Sequence, residues 1–331
     1  MTTKIGNISN GKGVKPFPFS RLKGLLSGDA LFKGMTAFFA FLILFLAFLT
    51  AYELWRAASP SFKAIGWRFL TTSDWNPVSG MFGAVPFVYG TLVSSLIALL
   101  IATPLGFGIA LFLTELAPLK MREPVAFLME ILAAIPSVVY GLWGIFLLAP
   151  FMREHVDPLL MKWIGAPFFA PPSVGLSMLT AGVILSIMVL PTLTAISREV
   201  FEAVPNTHRE SALALGATKW ETIQLAVFKP SKAGLLGAVM LAMGRALGET
   251  MAVTMVIGNR PEVSMNLLAP SHTMASVIAN EFTEATSDIH LSALAEIGLL
   301  LMAITLVLNV SAHLLVWATT RKFKAGKAQR T

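Results

Sequence analysis

The chain of 331 residues has no cysteine and little charge: Asp, Glu, Lys and Arg together make up 13%. The first absence excludes disulfides, thiolate nucleophiles and cysteine-ligated metals. The second separates the chain from soluble domains, in which about a quarter of residues are charged. No group of His, Asp and Glu has metal-ligand spacing and no nucleophile–base set is visible, which argues against a membrane enzyme. A nucleotide-binding loop matches at its first seven positions and fails at the eighth. Gly6-Asn7-Ile8-Ser9-Asn10-Gly11-Lys12 is followed by Gly13, where the motif needs a hydroxyl for Mg²⁺, and no strand precedes it. No cofactor is therefore expected on this chain, ATP included.

What is present is apolar. Hydrophobic residues reach 55% and the mean hydropathy is +0.73. A spanning helix needs about 20 largely apolar residues. Six stretches qualify, at 34–55, 87–113, 125–151, 174–196, 233–257 and 291–319. They predict an all-α membrane protein with six transmembrane helices (34–320), a basic arm (1–33) and a basic tail (321–331). The stretch Phe19 to Lys33 could lie flat on the inner leaflet or be an unstructured arm. The basic region ahead of the first stretch is too long for a cleaved signal, so that stretch is expected to be retained.

The net charge of +7 does not indicate nucleic acid, because its distribution follows a membrane. Eighteen of the 25 Lys and Arg lie before residue 34, in 114–124, in 197–232 and after 320; six lie in 56–86, 152–173 and 258–290. This positive-inside pattern predicts that both termini are cytoplasmic. Tryptophans 67, 75 and 163 read as an interfacial belt. Glu53, Glu130 and Glu296, near span ends, are read as structural groups at an interface, and Asn309 and His313 as interhelical hydrogen bonders. Pro104, Pro136 and Pro191 fall inside spans. Around Pro136, Ser137 and Tyr140 the expectation is a kinked, closely packed helix, either purely structural or lining a path.

Two regions carry chemistry. The loop 197–232 reads as two short helices: Thr207-His208-Arg209-Glu210 and Thr218-Lys219-Trp220-Glu221 both have capping-box spacing, with Gly216 as the stop between them. Leu213, Leu215 and Trp220 cannot all bury against such short helices, so they need the membrane domain or a partner. The other region is span five. Periodicity places Arg245 and Glu249 one turn apart on one face of a continuous helix that also bears small residues, with Thr250 and Thr254 following. A charge at bilayer depth costs roughly 2.5–3.5 kcal/mol on insertion scales. The pair is either an internal bridge that lowers this cost, or an oxyanion contact in which Glu249 positions Arg245.

Glu210-Ser211-Ala212, followed by Gly216, resembles the EAA loop of ABC importer permeases. The string Gly244-Arg245-Ala246-Leu247-Gly248-Glu249-Thr250-Met251-Ala252-Val253-Thr254 resembles the phosphate-specific, PstC-type branch. Ile135 to Gly141 and Asn280-Glu281-Phe282 fit that branch as well. Two positions depart from the pattern. Ser211 replaces an alanine, and Lys229 stands at the motif's proline position, with Pro230 one residue later. The offset is expected to rotate the junction of loop and span five.

The resemblance implies a type I ABC-importer fold with cytoplasmic EAA coupling helices, carrying phosphate across a bacterial inner membrane. It also implies several partners: a second permease, two ATPase subunits that hold ATP and Mg, and a periplasmic phosphate-binding protein. Coupling would rest on Glu210, Ser211, Ala212, Leu213, Leu215 and Gly216. Two readings stand beside it. One is a permease for molybdate or sulfate; the other is a secondary transporter coupled to an ion, with Glu249 as proton carrier.

Overall fold

The computed structural model describes residues 28–328. The partial nucleotide loop and most of the basic arm lie outside the described residues, as do the last three positions. The chain divides into two compact units, 1–53 and 54–331. Among the described residues all regular structure is helical, with isolated bridges at Asn76–Met81 and Gly258–Ser271. Among the described residues, five helices are long and apolar enough to span a membrane: Leu31–Ala64, Val85–Leu116, Met178–Glu202, Lys219–Gly248 and Asp288–Leu314. A bent pair, Leu119–Ala134 and Ser137–Trp163, makes the sixth if counted as one span.

That third span departs from expectation. Its two arms meet at 93°, a break rather than a kink. Ile135 and Pro136 are both extended (ψ 127° and 143°), since a proline disfavours α geometry in the residue before it. Pro136 has no N–H, so the Leu132 carbonyl loses its helical donor. The Tyr140 hydroxyl replaces it, donating to that carbonyl at 2.7 Å. Proline alone does not dictate such a break: the fourth span runs through the buried Pro191 as one helix.

Spans two and four form the centre of the second unit, with Ala98, Ala102, Leu185, Val189 and Leu193 fully buried. Small residues allow the approach. A methyl group on Gly106 would meet Leu193 Cδ2 at 2.9 Å. The loop 258–273 is no free excursion. Its Leu267 and Ala269 carbonyls accept from the first amides of span four, Leu179 and Met178, and Leu268 is fully buried. Those amides have no partner within their own helix, so the loop satisfies them.

Candidate functional site

Span five holds the principal correction. The helix starting at Lys229 ends at Gly248; Glu249 is extended (φ −70°, ψ 127°), and a new short helix runs Met251–Val256. Arg245 and Glu249 therefore do not share one continuous helical face. No ion pair joins them among the described residues. No proline causes this break. Local side-chain bonds compete with the helix instead. A Glu249 Oε1 accepts from the Ala252 amide at 3.4 Å, and Thr250 Oγ1 donates to the Gly248 carbonyl at 3.3 Å. Thr254 Oγ1 donates to the Thr250 carbonyl at 2.7 Å, so both threonine protons already bind backbone.

The two broken spans meet. Met251–Val256 packs on Ser137–Trp143, where Tyr140 shares a core with Ala252, Val253 and Val256. Glycines permit it. A Cβ on Gly141 would lie 2.4 Å from Met255 Sδ and 3.2 Å from Ala252 Cα, and one on Gly144 would lie 2.5 Å from Val256 Cγ1. The fold thus brings Tyr140 to the segment after Glu249, with Arg245 near enough to act on the tyrosine electrostatically. Pro136 is exposed and Ser137 half-buried beside them. Arg245 itself is exposed and makes no hydrogen bond or ion pair among the described residues. Glu249, Thr250 and Thr254 are half-buried.

The loop between spans four and five follows its sequence more closely. A helix covers Asn206–Ala214 and stops at Gly216, whose φ of +84° suits a residue without Cβ. The Ala217 amide reaches back to the Ala212 carbonyl and the Gly216 amide to Leu213, the paired bonds of a Schellman cap. The capping box at Thr218–Glu221 is present. The box expected at Thr207–Glu210 is not: Thr207 lies inside the helix, and Pro205 stands at the N-cap without a side-chain bond. Pro205 fixes the preceding extended geometry, so the helix starts two residues early. Glu210 and Ser211 are exposed and Ala212 half-buried; Leu213, Leu215 and Trp220 are 53%, 89% and 60% exposed.

A π turn precedes Pro230. Ile223–Phe228 is a π turn in which the Lys229 amide bonds the Gln224 carbonyl, five residues back. Such a turn holds one residue more than an α turn. The run Lys219–Gly248 is continuous through it, with Pro230 in the first turn of the following α-helix.

Sequence reasoning missed Arg209, reading it as a spacer within a capping box. Its guanidinium joins three elements. It pairs with Glu115 at the end of span two (Nη2–Oε1 2.7 Å, Nε–Oε1 3.0 Å). It also donates to the Phe201 and Val204 carbonyls at the end of span four (3.0 and 2.6 Å) and to Asn206 Oδ1 at 3.2 Å. Both charged side chains are mostly buried, 19% and 12% exposed. The ends of helices leave carbonyls without donors, and a cation there satisfies them. An arginine close after an uncapped helix end, with an acid at the end of span two, was the available signal.

A broken third span, a broken fifth span and a capped loop helix are the marks of a multi-pass membrane transport component. The fold is that of an inward-facing MetNI methionine ABC transporter structure, with a TM-score of 0.53 over 74% of this chain and 99% of that one, at 14% identity. Residues 102–324 match the family model of the binding-protein-dependent transport system inner membrane component, and the chain belongs to that family. Within it, the chain is 46% identical to the phosphate transport system permease protein PstC of Mesorhizobium japonicum, over 87% of this chain and 90% of the relative. It is 44% identical to that of Pasteurella multocida over 89% and 93%. A probable PstC of Methanocaldococcus jannaschii is 36% identical over 87% and 94%.

Proposed function

We propose that the chain is a permease subunit of an ATP-driven importer that carries inorganic phosphate across the inner membrane. The similarity to PstC proteins over nearly the full length of both chains carries this reading. Arg245, beside the broken helix and without a hydrogen bond or ion pair among the described residues, gives it a chemical basis. A guanidinium matches two oxygens of a tetrahedral oxyanion at once. Arg245 is the proposed contact for the passing anion. Glu249, held by the Ala252 amide, screens the site, and Tyr140 braces the wall.

The energy must come from elsewhere. Moving a dianion inward against 100 mV, inside negative, costs about 4.6 kcal/mol, at ~2.3 kcal/mol per charge, before any concentration gradient. The proposed sources are two ATPase subunits, holding ATP and Mg, beside a second permease and a periplasmic phosphate-binding protein. Leu213 and Leu215 on the exposed side of helix Asn206–Ala214 form the docking surface. Burying a leucine contributes about 1.5–3 kcal/mol, so a partner gains by covering them. Arg209 is the rigid joint through which movement of that helix reaches spans two and four. Closure of the ATPases pushes this lever, the path opens outward, phosphate passes Arg245, and hydrolysis resets the path inward. Both termini face the cytoplasm in this arrangement.

Complementation of phosphate uptake in cells lacking their own importer tests the reading. Uptake that persists under a protonophore while ATP lasts is expected. Loss with the proton gradient would favour the ion-coupled reading, and preferential competition by molybdate or sulfate would reassign the substrate.

A further inference from the structure

A second site lies away from the proposed path. Where the first span ends, a cavity of about 410 Å³ is lined by Trp55, Phe62, Lys63, Trp67, Leu70 and Glu296. Gly66, at φ +63°, turns the chain so that Trp67 and Leu70 come round to close it. Three of the eight lining residues are aromatic, with Trp55 and Phe62 ring centroids 5.2 Å apart. Its floor is a carboxyl group. Glu296 is 3% exposed, and its Oε2 is buried with no hydrogen-bond partner. Ser292, one turn earlier on the same helix, accepts from the Ser61 amide at 2.8 Å, which fixes the span-six face against this end of span one.

Ser61 offers its hydroxyl to this carboxyl group, but one buried oxygen is left without a donor, which is costly, so the site calls for a cation or a second strong donor. Lys63 lines the same cavity but is exposed at its rim. Acid at the base and base at the rim match a zwitterion entering amine first. Trp55 and Trp67, 60% and 85% exposed, mark a headgroup depth, and aromatic faces favour a cation between them. The charge asymmetry of the loops assigns this end of the span to the outer leaflet.

We propose that this cavity binds the headgroup of a phospholipid bearing a primary ammonium, the chemistry of phosphatidylethanolamine. The ammonium donates to Glu296, Lys63 meets the phosphate, and the glycerol stem runs along Phe62 and Leu70. The site has no part in anion passage and stands whether or not phosphate is the cargo.

Native mass spectrometry of the chain purified from membranes, with whatever subunits accompany it, tests this. Phosphatidylethanolamine and phosphatidylglycerol are added separately. The first should be retained about tenfold better, the discrimination expected of charge-assisted hydrogen bonds from an ammonium. Glu296→Gln should erase the difference, while Lys63→Gln should weaken both lipids alike. Equal retention of the two lipids by the unaltered protein would overturn the proposal, and so would a preference that survives in E296Q. A crosslink from position 296 to a companion subunit, with no lipid retained, would do the same. If E296Q fails to fold, the comparison of the two lipids on the unaltered protein still decides.

Discussion

Arg209 and Arg245 are treated in opposite ways by the same chain. Arg209 has Glu115 and two span-end carbonyls as partners and is mostly buried. Arg245 has no partner among the described residues, and its neighbouring acid lies beyond a helix break. A guanidinium whose donors are taken by the protein is a joint, because moving it breaks several bonds at once. One whose donors are not taken suits a transient ligand. The sequence alone leaves Arg245 either bridged to Glu249 on one helix or meeting an oxyanion, and makes Arg209 a spacer.

The contrast is most sharply tested by Arg245→Gln. Two charge-assisted hydrogen bonds to an oxyanion correspond to a loss of at least about a hundredfold in uptake. The complex should still assemble, since Arg245 makes no hydrogen bond or ion pair among the described residues. Near-normal uptake in this variant would make Arg245 a bystander.

Arg209→Met should act differently. It leaves Glu115 buried without a partner, a cost of about 3–5 kcal/mol. Adding Glu115→Leu should recover much of the thermal stability but not phosphate-stimulated ATP hydrolysis. Recovery of both would reduce the clamp to a packing element. Next, Leu213→Glu puts a charge on the exposed face of the loop helix. Crosslinking to the ATPase should fall with uptake, while the melting temperature stays within a few degrees; an unchanged crosslink would end the docking role. Gly141→Ala presses a methyl on Met255 where the two broken spans meet. Overpacking of this kind costs about 1–3 kcal/mol, and thermal unfolding in detergent would register it.

The smallest effect at neutral pH is expected at His272, a second fully engaged group. It is 2% exposed, bonded through Nδ1 to Ser276 Oγ at 2.6 Å and set edge-on to Phe87. Burial lowers its pKa to about 4, from the usual 6.5. Between those values the unfolded chain takes up a proton that the native chain does not, so stability falls as pH drops through that window and is unaffected above it. His272→Gln should flatten the unfolding midpoint between about pH 6.5 and 4; a slope that persists assigns it to other groups.

Much of this protein is written locally. The apolar runs give the spans, since each is long enough for hydrocarbon whatever surrounds it. Gly216 stops its helix because that backbone needs a left-handed residue, and Thr218–Glu221 caps the next one, as their spacing says. Local rules failed where two equally local solutions compete. Pro205 overrode the first capping box. What only the tertiary structure decided is the pairing of breaks. Pro136 and Pro191 look alike in sequence, yet one span bends by 93° and the other runs through. The difference lies in what packs against them. Tyr140 rescues the carbonyl freed at Pro136, and Gly141 and Gly144 admit the helix beyond Glu249. Periodicity measures a chain against an ideal helix, and it cannot see a neighbour that makes leaving that helix the more stable choice.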